Sequence, residues 1–292
     1  MPARDYDAIL LDLDGTLVAD DGTIHPYTRE RLHAAAEQGV VVMIVTGRSE
    51  PTAIPAIEQL GIDTPAVIYN GAAVYCPRTR GLLEERHLDD GLLGRVLDYA
   101  EARELYPVVM CPETKLALAP RSLEETLALH DMSFLQVVDA PRLRVARSVR
   151  VSLFSSRHGT AEEFVSELRA EIEDLDAYLT WFPLNLLPGH RESDLVVIDV
   201  QPRCDGKAEA FRLLKERYGI PPERAIACGD ATNDIPMLER AGLAVAMGNA
   251  VPEVKSLADR VIGANDTAAI GELVVALSLD ASAGDEEAPW SE

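Results

Sequence analysis

The sequence has little lysine, little cysteine and no long apolar run, and each shortage excludes a class of protein. Lysine occurs at four of the 292 positions, and 49 acidic residues against 27 basic ones give a formal net charge of −22 at pH 7. Nucleic acids and acidic membranes bind basic surfaces, so neither is an expected partner. The four cysteines lie far apart without a C-x-x-C pair, which predicts neither a zinc site nor a disulfide framework.

Motifs of several large enzyme classes are also missing from the sequence. It contains no G-x-x-x-x-G-K-[ST] phosphate loop, no G-x-S-x-G elbow and no H-E-x-x-H helix. A nucleotide kinase, a serine hydrolase and a zinc enzyme are therefore not expected. No apolar run approaches the length of a membrane-spanning helix and no signal-peptide pattern is present. We expect a cytoplasmic protein, either a monomer or a small homo-oligomer.

What the sequence does contain is an alternation of short apolar runs with helical segments. The apolar runs lie at 8–13, 40–45, 66–69, 224–228, 243–247 and 260–262. Such runs are typical of strands buried on both faces, and their alternation with helices predicts a parallel sheet. Predicted helices at 28–38, 207–218 and 233–241 each stop at a glycine suited to a left-handed cap: Gly39, Gly219 and Gly242. These segments predict an α/β fold with a Rossmann-like doubly wound sheet, which binds ligands at the carboxyl ends of its strands.

Between residues 83 and 201 the pattern changes to more alternating strands. Predicted helices at 89–103, 122–132 and 160–174 separate predicted strands at 107–110, 115–119, 149–155, 178–183 and 195–200. We therefore expect an α+β domain with a mixed or antiparallel sheet at 83–201, inserted into a core formed by 1–82 and 202–280. The acidic tail at 281–292 has no periodicity and is predicted to be disordered.

Four polar clusters follow predicted strands or open a predicted helix. They are Asp12-Leu13-Asp14-Gly15-Thr16, Thr46-Gly47-Arg48, Gly206-Lys207 and Gly229-Asp230-Ala231-Thr232-Asn233-Asp234. Each cluster alone has an ordinary structural explanation, such as a solvated turn. Because the clusters follow strands of one parallel sheet, we expect them to meet at one edge of that sheet. Asp12 and Asp14 are two apart on an extended segment, so their side chains tend to point the same way.

These four clusters, in this order, resemble the four motifs of the haloacid dehalogenase (HAD) superfamily of phosphohydrolases. The insertion lies after Thr46, with Tyr69-Asn70-Gly71-Ala72 before it and Ala246-Met247-Gly248-Asn249-Ala250 late in the core, which is similar to the Cof-type, class IIB members. One departure is Ala231-Thr232, where glycine or an acid is frequent. The resemblance implies an inserted α+β cap domain of the C2B type, which closes over the core, excludes water and selects the substrate.

The resemblance also implies roles for the acidic residues. Asp12 is the expected nucleophile, which forms an aspartyl phosphate, and Asp14 is the expected general acid and base. The implied metal ligands are the Asp12 carboxylate, the Asp14 main-chain carbonyl and the Asp230 carboxylate, with Asp234 as a further ligand or a supporting partner. A phosphate dianion that faces several carboxylates needs a cation, and oxygen ligands suit Mg²⁺. For Asp234, a partner of the helix N-terminal dipole stays open as an alternative.

The remaining candidates contact the phosphate or the rest of the substrate. The phosphate-binding candidates are Thr46, Gly47, Lys207 and Asn233. The substrate-binding candidates are Arg48, Asn70, His190 and Arg191. Simpler explanations stay open for several of these residues. Lys207 as a solvated residue of a first helical turn is one alternative, and Arg48 paired with a surface acid is another. The third is that residues 188–193 form only an exposed hairpin turn.

The expected function is Mg²⁺-dependent hydrolysis of small phosphate monoesters, with sugar phosphates as the expected substrates. A small phosphorylated metabolite is therefore the expected partner. Three alternatives stay open: a phosphatase of a cofactor such as flavin mononucleotide or pyridoxal phosphate, a phosphomutase, and a catalytically silent sugar-phosphate-binding protein. The joint presence of Asp12, Asp14, Lys207 and Asp230 counts against the silent protein, because simple binding needs no proton donor at Asp14.

Overall fold

The computed structural model of the chain describes residues 5–130, 132–186 and 189–280. Within them the strands are β1 (Ala8–Leu11), β2 (Val41–Ile44), β3 (Ala66–Ile68), β4 (Ala73–Cys76), β5 (Gly81–Glu85), β6 (Tyr106–Met110), β7 (Lys115–Ala117), β8 (Leu135–Val137), β9 (Arg150–Ser155), β10 (Ala177–Pro183), β11 (Val196–Pro202), β12 (Ala225–Gly229), β13 (Leu243–Ala246) and β14 (Arg260–Val261). The α-helices are α1 (Pro26–Glu37), α2 (Glu50–Leu60), α3 (Asp90–Ala102), α4 (Leu123–Leu129), α5 (Ala161–Glu171), α6 (Glu209–Tyr218), α7 (Ile235–Leu238), α8 (Pro252–Leu257) and α9 (Ala269–Ala276). The predicted disordered tail at 281–292 lies outside the described residues.

The described residues fall into two compact units. The core unit comprises residues 5–47, 53–81 and 206–280, and the inserted unit comprises 48–52, 82–130, 132–186 and 189–205. The predicted domain boundaries at 82/83 and 201/202 stay predictions. Among the described residues, no helix combines the length and the apolar character that crossing a bilayer requires.

The core unit is built on a five-stranded sheet in the order β14-β13-β12-β1-β2, and all its pairings are parallel. Every residue of β1 and β12 is buried, as expected for strands covered on both faces. The predicted α/β fold with a doubly wound sheet is therefore confirmed.

The register of this sheet determines where the polar clusters lie. Leu11 at the end of β1 is aligned with Ile44 of β2 on one side and with Cys228 of β12 on the other. The amide of Asp12 continues the ladder and donates to the Cys228 carbonyl at 3.2 Å. Because β1 and β2 end level and β12 ends one residue later, the residues that follow them leave the sheet at the same edge.

The third predicted strand does not belong to the parallel ladder. β3 pairs antiparallel with β4 in a separate three-stranded sheet, and a single parallel bridge from Val45 to Val67 links it to the end of β2. The physical reason is a chain reversal directly after β3. Tyr69 and Asn70 adopt left-handed backbone conformations with φ of 51° and 49°, which turns the chain back as β4.

Two of the three predicted glycine caps have the expected conformation. Gly39 and Gly219 have φ of 81° and 68°. The prediction for Gly242 is wrong, because α7 ends at Leu238 and Gly242 is not among the residues with positive φ. A Cβ atom at Gly242 would lie 2.0 Å from the Glu223 carbonyl oxygen, so this glycine permits a close backbone approach.

The inserted unit contains a six-stranded mixed sheet in the order β10-β11-β9-β6-β7-β8. Its strand pairings are antiparallel except for β7 with β8, which agrees with the predicted mixed or antiparallel sheet. Apolar residues of α3 and α5, among them Val96 and Phe164, pack with Val109, Val151 and Ile198 from one face of the sheet. Asp89 and Thr160 cap the two helices, and their side-chain oxygens accept hydrogen bonds from backbone amides of the first turns.

Candidate active site

A buried lysine lies at the centre of the predicted edge. Lys207 lies in the 3-10 turn Gly206–Ala208 before α6, and its side chain is 1% exposed. Its Nζ donates to Asp12 Oδ1 at 2.6 Å and to Asp234 Oδ1 at 2.5 Å. The solvated alternative for Lys207 is therefore wrong, because this ammonium joins the segment after β1 to the segment after β12.

Asp230 follows β12 and faces the loop that carries Asp12 and Asp14. Its Oδ1 accepts a hydrogen bond from Thr16 Oγ1 at 3.1 Å. Gly15 has φ of 76°, and a Cβ atom there would lie 2.3 Å from Asp230 Oδ2. Glycine at this position therefore lets the loop approach the carboxylate closely.

Asp234 is fully buried and binds in two directions. Its Oδ2 accepts from the amides of Asp230 and Ala231 at 2.9 and 3.0 Å, while its Oδ1 accepts from Lys207. The bonds from the two amides agree with the alternative that Asp234 is a partner of the helix N-terminus. The ion pair with Lys207 is a second interaction of the same carboxylate. Asp234 thus fixes both the Asp230 loop and the lysine.

The electrostatics of the cluster follow from burial and from an excess of carboxylates. Burial raises the pKa of Asp12 well above its usual range; Lys207 opposes this, and the nearby carboxylates of Asp234, Asp230 and Asp14 add to it. Burial and then Asp234 raise the pKa of Asp230 to about 7. Burial alone would lower the pKa of Lys207, but Asp12 and Asp234 outweigh it, so the pKa lies above its ordinary value. Lys207 therefore stays charged at neutral pH.

The same carboxylates form a suitable donor set for a divalent cation. Oxygen atoms of Asp12, Asp230 and Asp234 all lie within 4.8 Å of one another. These three carboxylates share the single ammonium of Lys207, so their negative charge exceeds its positive charge when all three are ionised. An all-oxygen set with excess negative charge suits Mg²⁺.

The residues after β2 and β3 form a second polar group at this end of the core unit. Thr46 is buried, its amide donates to the Val67 carbonyl at 2.8 Å, and its carbonyl accepts from the Asn70 amide at 3.0 Å. A Cβ atom at Gly47 would lie 2.9 Å from Asn70 Oδ1. The same Oδ1 accepts from Asn233 Nδ2 at 3.1 Å. Asn70 therefore connects the two predicted phosphate-binding segments.

The other substrate candidates belong to the inserted unit. Arg48 is half-buried and donates a hydrogen bond to the Thr52 carbonyl at 3.1 Å, a contact that differs from a surface ion pair. His190 and Arg191 lie in the connection between β10 and β11, where the Ser193 amide donates to the His190 carbonyl at 2.9 Å. Arg191 is exposed, as expected for a hairpin turn. The substrate contacts of these three residues stay predictions.

Two contacts at the edge had no assigned role in the sequence. Thr16 binds Asp230, and Asn249 Nδ2 donates to the Gly15 carbonyl at 2.7 Å. Thr16 directly follows the D-x-D-G cluster and Asn249 lies in the late M-G-N-A stretch, so both residues belong to motifs that the sequence already shows. Their partners lie more than 200 positions away along the chain, and residue spacing carries no signal for such pairs.

Comparisons with known proteins agree with this geometry. A family model described as haloacid dehalogenase-like hydrolase matches residues 9–274. The chain is 30% identical over 264 residues to the 5-amino-6-(5-phospho-D-ribitylamino)uracil phosphatase YitU of Bacillus subtilis (strain 168), covering 88% of this chain and 92% of YitU. It is 29% identical over 280 residues to the pyridoxal phosphate phosphatase YbhA of Escherichia coli (strain K12), covering 91% and 96% of the two chains.

The fold has close counterparts among solved structures. The HAD subclass IIB sugar phosphatase BT4131 matches with a TM-score of 0.74 at 22% sequence identity, covering 94% of this chain and 99% of that chain. The resemblance drawn from the four motifs is thus confirmed. Since the family model spans most of the sequence and the relatives match over nearly their whole length, the chain belongs to the haloacid dehalogenase-like hydrolases and is a phosphoric monoester hydrolase.

Proposed function

We propose that the protein hydrolyses small phosphate monoesters with Mg²⁺, through an aspartyl phosphate on Asp12. The observation that carries the proposal is the ammonium of Lys207, held between Asp12 and Asp234 beside the carboxylate of Asp230. A fixed cation next to one reactive carboxylate supports attack on a dianionic phosphate, and a buried site lets that charge act strongly.

The proposed reaction has two steps. A carboxylate oxygen of Asp12 attacks phosphorus, the bond from phosphorus to the leaving oxygen breaks, and Asp14 gives its proton to that oxygen. Water then attacks the phosphorus of the aspartyl phosphate and loses a proton to Asp14, which frees the Asp12 carboxylate and inorganic phosphate. Asp14 is exposed at the loop surface, which leaves it open to both the leaving group and water.

The proposed metal ligands are the carboxylates of Asp12 and Asp230 and the main-chain carbonyl of Asp14, with Asp234 supporting Asp230 through its amide. When bound, Mg²⁺ supplies positive charge that reduces the repulsion between the phosphate and the carboxylates. The proposed phosphate contacts are Thr46, the Gly47 amide, Lys207 and Asn233. Asn70 lies against Gly47 and Asn233, which supports a place beside the phosphate.

Binding of Mg²⁺ is expected to weaken below pH 7. The carboxyl of Asp230 has a pKa of about 7 in the absence of metal, so at lower pH the metal must displace a proton. The proton on Asp230 alone should lower the apparent affinity by about tenfold for each pH unit below 7. The raised pKa of Asp12 acts in the same direction. Calorimetric titration with Mg²⁺ alone, from pH 5.5 to 8.5, measures this; an affinity that is unchanged across pH 5.5–7 contradicts it.

Sugar phosphates are the proposed substrates, and phosphorylated heterocyclic metabolites are the second candidate. The relatives YitU and YbhA favour the second, because they are named as phosphatases of a phosphoribitylamino-uracil and of pyridoxal phosphate. His190 and Arg191 of the predicted cap, together with Arg48, are the proposed contacts to the substrate beyond its phosphate. The fold match to a sugar phosphatase agrees with either class.

A substrate panel tests the proposed function. Phosphate release is measured with Mg²⁺ for hexose phosphates, pentose phosphates, pyridoxal phosphate and flavin mononucleotide, and kcat/KM ranks the classes. We expect release from at least one class and its loss on chelation of the metal. Transfer of the phosphoryl group to a second sugar hydroxyl with little free phosphate indicates a mutase. Tight binding without turnover indicates a silent binding protein, and either result overturns the proposal.

A further inference from the structure

Two asparagines from the end of the core unit hold the loop that carries Asp14. Asn249 Nδ2 donates to the Gly15 carbonyl at 2.7 Å, and Asn265 Nδ2 donates to the Val18 carbonyl at 3.0 Å. The two asparagines also bind each other, because the Asn265 amide donates to Asn249 Oδ1 at 3.0 Å. Together they form one amide clamp on the loop from Asp12 to Val18, and we call this pair the asparagine clamp.

The segment that contains Asn249 is also tied to the Asp230 loop. The Met247 amide donates to the Gly229 carbonyl at 3.1 Å, and the Val251 amide donates to the Asp230 carbonyl at 2.9 Å. Residues 247–251 therefore touch the loop of Asp14 on one side and the loop of Asp230 on the other. Both loops supply proposed metal ligands, so the separation between them depends on this segment.

The two ends of the Asp12–Val18 loop are supported differently. Asp12 is bound to the sheet through its amide and to Lys207 through its side chain. Asp14 is exposed and precedes Gly15, which has a left-handed φ of 76°. Glycine has more backbone freedom than any other residue type. The turn has internal bonds from the amides of Thr16 and Val18 to the Leu13 carbonyl at 3.2 and 2.9 Å. The carbonyls of Gly15 and Val18 accept the hydrogen bonds of the asparagine clamp.

We propose that Asn249 and Asn265 are positioning residues for Asp14. This inference rests on the proposed function, because it concerns the step in which Asp14 protonates the leaving oxygen. The clamp fixes the peptide groups that follow Asp14, and a proton donor must lie within hydrogen-bond reach of the atom that it protonates. Asp12 and Lys207 are bonded to each other independently of the clamp, so loss of the clamp slows proton donation more than it weakens phosphate binding.

The kinetic test compares two kinds of leaving group. Asn249→Ala and Asn265→Ala should lower kcat/KM for an alkyl phosphate by about tenfold, since each loses one hydrogen bond that holds the loop. The loss for p-nitrophenyl phosphate should be about threefold or less, because its leaving group departs without a proton. Asn249→Asp keeps the shape but lacks the N–H donor, and it should behave like Asn249→Ala. Asp266→Ala removes an exposed neighbouring side chain outside the clamp and should match the wild type.

A second readout needs no catalysis. Amide hydrogen exchange in peptides that cover residues 12–20 should be about three- to tenfold faster in the two alanine variants. The reason is that each variant lacks one hydrogen bond that holds this loop closed. If exchange and the alkyl-to-aryl ratio of kcat/KM both match the wild type, the inference is overturned. It is also overturned if Asn249→Asp equals the wild type, because the amide donor is then unnecessary. A wild-type protein without phosphatase activity overturns the proposed function instead, and exchange still reports on the clamp.

Discussion

Asp12→Asn is expected to lower kcat by about 10⁴-fold or more, since the amide cannot attack phosphorus and the covalent path is lost. The variant should remain folded. Burial raises the pKa of Asp12, so a neutral isostere avoids the cost of a buried charge, and Lys207 keeps its ion pair with Asp234. Phosphate release and thermal unfolding of the same preparation measure both effects.

The matched control for this variant is Asp63→Asn, which changes an exposed aspartate in the connection between α2 and β3 of the core unit. It should retain wild-type turnover. Turnover within tenfold of the wild type in Asp12→Asn contradicts the assignment of the nucleophile. If Asp12→Asn has a much lower melting temperature than the wild type, its kinetic loss does not identify the nucleophile. Detection of the phosphoryl group on the Asp12 peptide of the wild type then tests the assignment.

Lys207→Met is expected to reduce both stability and activity. The substitution leaves Asp12 and Asp234 buried without their shared cation, and breaking a buried ion pair in this way costs about 3–5 kcal/mol of unfolding free energy. The deficit should be greatest at high pH and shrink as pH falls, because the buried carboxyls then take up protons. Loss of a fixed charge beside the phosphate should also lower kcat by about 10³-fold. Denaturant unfolding with a chelator present and steady-state kinetics with Mg²⁺ measure the two effects.

A double variant separates the ion pair from the catalytic role of the lysine. Lys207→Met with Asp234→Asn removes a charge of each sign, so stability should recover by about half or more while kcat stays low. Lys215→Met, on the exposed part of α6, is the control and should change neither quantity. Equal stability of Lys207→Met and the wild type at pH 8 contradicts the buried ion pair. Recovery of kcat in the double variant contradicts a direct role for Lys207 at the phosphate.

The sequence was enough to predict the core sheet and its polar edge. Runs of buried aliphatic residues such as Ala8–Leu11 indicate parallel strands, and register then brings Asp12 and Asp230 together. Lys207 was predicted at the phosphate, but its bonds to Asp12 and Asp234 depend on side-chain reach across the site. A sequence pattern gives the order of elements and does not give such distances.

The differences from the predicted fold arise where tertiary packing decides the local structure. The strand after residue 65 turns back at Tyr69 and Asn70, and nothing in a short apolar run distinguishes a hairpin strand from a parallel one. Gly242 follows a helical pattern in the sequence, but in the structure its lack of a Cβ atom permits close approach of the Glu223 backbone carbonyl. The asparagine clamp joins residues more than 200 positions apart, so only the folded chain reveals it.

The central claim is a phosphoryl group carried on Asp12, and one measurement tests it most directly. The enzyme is mixed with Mg²⁺ and p-nitrophenyl phosphate, quenched in acid within milliseconds, and its peptides are analysed by mass spectrometry. We expect one added phosphoryl group on the peptide that contains Asp12, formed as fast as turnover and absent from Asp12→Asn. Continuing turnover with no phosphorylated peptide, or with the phosphoryl group on another residue, contradicts the proposed mechanism.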